Sequence, residues 1–139
     1  MKRIVLILLF FYAGALVAQR PGPPPSADPW AYGNGPRNWD PSWNNRPPPR
    51  RGACFFIDSN FRGKRFCVRS GDRFDRLPGG YGNSISAIQT FGGAHVVVYD
   101  QDGFRGGQQV FQGTVPDLTK VRYRGGQSWN DRISSIVVR

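Results

Sequence analysis

An internal duplication in the C-terminal part of the chain constrains its fold more than any other feature. The segment Phe56-Ile-Asp-Ser-Asn-Phe61-Arg-Gly63 recurs as Tyr99-Asp-Gln-Asp-Gly-Phe104-Arg-Gly106: aromatic, four residues, Phe, one residue, Gly, at a constant offset of 43. Farther on, Tyr81-Gly-Asn-Ser-Ile-Ser-Ala-Ile88 recurs as Trp129-Asn-Asp-Arg-Ile-Ser-Ser-Ile136 at an offset of 48. Two signals in the same order imply two copies of one supersecondary unit, the second with five extra residues between its signals. Each copy reads as short strands: 53–57, 65–69 and 85–91 in the first, 96–99, 110–111 and 132–138 in the second. Short strands separated by frequent turn residues predict an all-β sandwich or barrel. No helical stripe of useful length interrupts them.

The residues of the first signal have direct physical roles. Gly63 and Gly106 supply a positive φ where a hairpin folds back on itself. Phe56 and Tyr99 can lie across that turn and shield its backbone. Ser86 and Ser134, in the second signal, can donate to carbonyls left open there. Each half alone is a small sheet with one apolar face exposed, and pairing the halves closes one core.

Two other segments precede the duplication. Residues 1–18 have the order of a secretory signal: Lys2 and Arg3, the apolar run Ile4 to Tyr12, then small residues at Ala13, Gly14, Ala15 and Ala18. The run is shorter than the roughly 20 residues a bilayer span needs. A secreted, periplasmic or cell-envelope location follows as the expectation. Residues 19–50 hold ten of the twelve prolines and no apolar periodicity, so a disordered or partly polyproline II spacer is expected. Trp30, Tyr32, Trp39 and Trp43 are unusual in a spacer. They can stack on glycan rings, dock on the domain or face solvent. The folded domain is then 51–139, with units at about 53–92 and 94–139.

Charge and reactive residues bound the function. Lys and Arg number 19 against 9 acidic residues, for a net charge of +10; there is no Glu. Such a chain meets polyanions readily, an anionic envelope glycan among them. No motif for specific nucleic-acid reading is present, and a monomer is expected. The two cysteines, Cys54 and Cys67, flank one hairpin, and in an exported chain a disulfide between them is the default. That leaves His95 as the only histidine, ahead of a valine run, with no nucleophile paired to it by motif. The expectation is a protein that is not an enzyme.

The duplicated signals resemble those of the βγ-crystallin family, and Trp129-Asn-Asp-Arg-Ile-Ser-Ser-Ile is very close to the family pattern. The resemblance covers residues 53–139. It implies two Greek-key motifs packed as a β-sandwich, and a structural or stress-protective role. Microbial members often bind calcium through Asn/Asp, Asn/Asp, any, any, Ser/Thr, Ser. Asn130-Asp131-Arg132-Ile133-Ser134-Ser135 is a full match. Gly82-Asn83-Ser84-Ile85-Ser86-Ala87 has lost its first and last positions. By resemblance, Asn83, Asp131, Ser86 and Ser134 offer side-chain oxygens and Ser84 and Arg132 main-chain carbonyls, with further carbonyls near Ile57 and Asp100. Only Asp131 and Asp100 can bring full negative charge to these sites and the domain is basic, so low calcium affinity is expected, about 10⁻⁴ to 10⁻³ M. Asn and Ser at these places also cap turns.

A second reading comes from a secreted bacterial metalloproteinase-inhibitor family of the same fold. It resembles this chain in its Cys, aromatic strand, Asn-Phe-x-Gly hairpin and Cys, here Cys54 to Cys67. The partner would then be a secreted proteinase, and the segment 116–127, with Lys120, Arg122 and Arg124, the inhibitory loop.

Overall fold

The structure, a computed structural model, describes residues 38–139. The expected signal segment and the first part of the proline-rich stretch lie outside the described residues. Seven strands follow one another: β1 (Gly52–Asp58), β2 (Arg62–Arg69), β3 (Arg73–Phe74), β4 (Ala87–Phe91), β5 (Val96–Gln101), β6 (Arg105–Phe111) and β7 (Ser135–Val138). They form two antiparallel sheets, in the orders β2-β1-β4 and β3-β7-β5-β6. Alternation along each strand sends Phe55, Phe66, Ile88, Val96, Val98 and Ile136 into the fully buried interior between the sheets. Phe66 stacks on Phe74 and meets Tyr81 edge-on, at centroid distances of 5.8 and 4.7 Å.

The two halves exchange strands. Phe74, from the first half, pairs with Ile136 in the second sheet, while Val115, from the second half, bridges to Ile88 in the first. Ile88 and Ile136 correspond across the duplication, so Phe74 and Val115 do as well, at an offset of 41. Backbone bonds repeat the correspondence: Gly103 N–H donates to Asp75 O as Asn60 N–H does to Pro116 O, both at 2.7 Å. The second half is therefore two residues shorter before Val115 and seven longer between Leu118 and Trp129. The net difference of five read from the sequence is two separate changes.

The hairpin signals behave as their residue types require. Gly63 and Gly106 have φ of 78° and 81°, and a Cβ on Gly106 would lie 2.0 Å from Asp100 Oδ1. Phe56 meets Phe61, and Tyr99 meets Phe104, edge-on at 5.6 and 5.8 Å. Each first strand carries a register shift just before the turn, between Phe56 and Asp58 and between Tyr99 and Gln101. The extra residue of each bulge is on the second strand: Gly63 and Lys64 stand opposite Ile57, and Gly106 and Gly107 opposite Asp100, so Ile57 and Asp100 fall outside the paired register.

The proline-rich spacer does not extend to residue 50 as expected. Residues 41–45 form a short 3-10 turn, opened by Asp40, whose carboxylate accepts from Ser42 N–H at 2.7 Å. Pro41 sits at its first position, where a missing N–H costs nothing. This segment runs along the free edge of β2. Trp39 Nε1–H donates to Arg65 O (3.1 Å), Arg65 N–H donates to Asn44 Oδ1 (3.0 Å), and the Arg65 guanidinium donates to Arg46 O. Trp43 is 4 % exposed and belongs to the same buried cluster as Cys54, Phe56 and Cys67. Those three point away from the space between the sheets, yet are buried in the same cluster as Trp43. Proline blocks a regular ladder, but capping one edge residue needs only scattered donors and acceptors. Of the three roles open to the tryptophans, Trp39 and Trp43 take docking on the domain; Trp30 and Tyr32 lie outside the described residues.

Candidate functional site

Cys54 and Cys67 face each other in register on β1 and β2 and form a disulfide, with Cα atoms 4.0 Å apart. Both are fully buried. His95 is exposed just ahead of β5, where its backbone pairs with Arg139 in both directions at 2.8 Å. Among the described residues no three His, Cys, Asp or Glu side chains cluster as a metal site would require. Any cation site here must be built mainly from neutral oxygens.

Such a convergence exists where the two repeat signals meet. Asn83 and Asp131 correspond across the duplication, and both adopt the left-handed conformation, with φ of 55° and 58°. This turns each loop toward the opposite half: Asn83 N–H donates to Ile133 O (3.2 Å), and Asp131 N–H donates to Ile85 O (3.1 Å). The Ser134 hydroxyl then lies 3.0 Å from Asn83 Oδ1 and 3.1 Å from the carbonyl of Asp100. Asn83 comes from the first signal, Ser134 from the second and Asp100 from the second hairpin. The full match at residues 130–135 therefore does not form one site by itself, and neither does its partial partner.

Ser134 fulfils the backbone role read from the sequence, in company with a residue the sequence reading missed. Ser135 Oγ donates to Gln101 O at 2.6 Å and accepts from Phe104 N–H at 3.0 Å. The first half has Ala87 at that place. Tyr81 and Trp129, which open the two signals, are buried in the core. Ser84 Oγ donates locally to Gly82 O at 3.2 Å. The Asn83–Ser134 locus opens into a shallow cleft of about 520 Å³ that includes Arg76, Gly79, Gln101 and Asp102. Arg76 Nε pairs with Asp102 at 3.2 Å on its rim.

Asp131, Ser86 and Ile57 correspond across the duplication to Asn83, Ser134 and Asp100. Leu118 N–H donates to Ser86 O at 2.8 Å, and Ser59 Oγ donates to Asp117 Oδ1 at 3.3 Å. Asp117 also accepts from the side chain and backbone of Thr119, which hold its carboxyl below the usual range. Ser86 is buried and Asp131 exposed, and no contact joins their side chains. Asn130 Oδ1 is buried without a hydrogen-bond partner in the protein. The Arg132 guanidinium lies 4.8 Å over the ring of Tyr123.

Asp100 differs from expectation in one respect. Its carboxylate does not face the locus. Oδ1 accepts from Gly107 N–H at 2.8 Å, and Oδ2 accepts from the Tyr123 hydroxyl. That hydrogen bond, more than any other cause, raises the Tyr123 phenol above its ordinary value. Only the carbonyl of Asp100 is directed at Asn83 and Ser134.

No protein-family model matches the chain, and no curated protein matches it in sequence. Solved structures do match. The N-terminal domain of protein S is 23% identical, with a TM-score of 0.51 over 63% of this chain and 94% of that one. A structure bearing on the evolution of the eye-lens βγ-crystallin domain fold is 21% identical, with a TM-score of 0.56 over 68% and 91%. A βγ-crystallin domain from Flavobacterium johnsoniae is 22% identical, with a TM-score of 0.50 over 63% and 92%. At these identities the likeness is one of fold.

Proposed function

From the βγ-crystallin fold of this domain, we propose that the chain is an exported, non-enzymatic module that binds calcium weakly where its two halves meet. The observation that supports the reading is the approach of Asn83 Oδ1 and the Asp100 carbonyl to within about 3 Å of the Ser134 hydroxyl. Calcium accepts amide, hydroxyl and carbonyl oxygens, and tolerates irregular arrangements of them. Asn83 and Ser134 would supply side-chain oxygens and Asp100 its carbonyl. With no carboxylate directed inward and a net positive chain, the affinity falls in the range of extracellular modules, about 10⁻⁴ to 10⁻³ M. A cation there would tie the first signal to the second and stiffen the junction between halves. That suits a structural role in an envelope or matrix. No helix among the described residues is long and apolar enough to cross a membrane.

The test is thermal unfolding of the domain at about 10 mM calcium, with the same concentration of magnesium as control. Ligand binding to the native state alone stabilises it by roughly 1.4 to 2.7 kcal/mol at these affinities. A melting temperature that calcium leaves unchanged would refute the reading.

One observation favours the inhibitor reading as an alternative. Residues 122–128 form a braced hairpin with an exposed Arg124-Gly125-Gly126 tip, and a rigid exposed loop is what an inhibitor requires. Assay against secreted metalloproteinases decides it: sub-micromolar inhibition supports it, and its absence removes it.

A further inference from the structure

The seven residues that the second half adds between Leu118 and Trp129 form an ordered hairpin. Tyr123 N–H donates to Gln127 O (2.8 Å), Gln127 N–H to Arg124 O (3.2 Å), and Trp129 N–H to Val121 O (3.0 Å). The Tyr123 ring meets Trp129 edge-on at 4.9 Å and carries Arg132 over it at 4.8 Å. From this fixed base its hydroxyl reaches Asp100 Oδ2, while Gly107 N–H holds Oδ1. Asp100 stands opposite the two-residue bulge of β6 at Gly106 and Gly107 and has no partner in the register, so the ladder that would otherwise orient its carbonyl is interrupted there. Its side chain supplies the missing restraint. The residue opposite the corresponding bulge of the first half is Ile57, which has no carboxylate to anchor, and the first half has no such insertion.

We propose that Tyr123 is a positioning residue for the cation locus: the inserted hairpin holds Asp100 so that its carbonyl faces Asn83 and Ser134 and its carboxylate stays outside. The proposal rests on the calcium reading of that locus and adds a claim of its own. One of the two corresponding loci is pre-organised by a residue that lies outside both repeat signals. The restraint is established on folding, so it need not be imposed by the ion, which raises affinity without adding a ligand.

Tyr123→Phe removes the hydroxyl and keeps the ring against Trp129 and Arg132. The experiment uses the ¹⁵N-labelled protein with and without this change. Amide exchange of Gly107 is measured without calcium, and calcium chloride is then titrated with residue-resolved shifts. In Tyr123→Phe, Gly107 exchange is expected to accelerate. Affinity read at Asn83, Asp100 and Ser134 is expected to fall about three- to ten-fold. Any shifts at Ser86 and Asp131 should follow the parent curve. Asp100→Ala keeps the carbonyl and loses the anchor, so it should weaken binding similarly, and adding Tyr123→Phe to it should change nothing further. Equal Gly107 exchange in parent and variant overturns the brace, as does unchanged or tighter binding in Tyr123→Phe. A parent protein that shows no calcium shifts removes the metal reading; the Gly107 comparison then decides by itself whether Tyr123 holds Asp100.

Discussion

The Ser134 hydroxyl donates to Asn83 Oδ1 across 51 residues of sequence, at 3.0 Å, joining the two halves of the duplication. Asn83 is placed by the opposite half and Ser134 by its own. Asn83 arrives through a left-handed turn whose N–H donates to Ile133 O of the other half. Ser134 arrives on the approach to β7, where its own N–H donates to Tyr99 O at 2.8 Å. The site is thus a product of the strand exchange, and it exists only when both halves are folded together.

Removing the docked tryptophan tests whether residues 38–50 belong to the domain. Trp43→Ala should lower stability by about 3 to 5 kcal/mol, the cost of emptying a buried aromatic site. Chemical denaturation measures it. A loss below about 0.5 kcal/mol would mean that the segment is an accessory after all.

The disulfide closes a short loop, Cys54 to Cys67, with a sequence separation of 13. Loss of that cross-link should cost roughly 3 kcal/mol through the freedom returned to the unfolded chain. Because both cysteines are fully buried in one cluster with Trp43, thiol reductant should act slowly on the native protein and faster on Trp43→Ala. Alkylation followed by mass measurement reads both rates; equal rates would contradict a protective role for Trp43.

The Tyr123–Asp100 bond carries a pH signature. The hydrogen bond raises the Tyr123 phenol above its ordinary value near 10, so the folded state holds this proton more tightly than the unfolded state. The stabilisation is complete below that ordinary value and is lost as pH rises through the folded one. The melting temperature of the parent protein should fall more steeply above about pH 10 than that of Tyr123→Phe. Identical slopes would show that the bond does not couple ionisation to stability.

Much of this architecture was legible beforehand, and the rest was not, for physical reasons. The repeat signals announced two hairpins because aromatic, Phe and Gly each answer a local need of the folded turn. The cysteines announced their pairing because they flank one of those turns. The exchange of Phe74 and Val115 was hidden, since a strand of two residues carries no periodicity and its partner lies in the other half. The docking of residues 38–50 was hidden as well. It depends on the outward N–H and C=O of Arg65 at a free sheet edge, and proline-rich composition speaks only to local backbone preference. The candidate ligands could be named but not grouped, because the signals follow the chain while the locus crosses between halves. The orientation of Asp100 depends on Tyr123, which belongs to neither repeat, so no comparison of the halves could reveal it.

Calorimetric titration of calcium into the parent protein and into Ser134→Ala tests the central claim most directly. The account predicts saturable binding with a dissociation constant of about 10⁻⁴ to 10⁻³ M in the parent, and a loss of at least about ten-fold in the variant. Binding of equal strength in both proteins, or none in the parent, would contradict it.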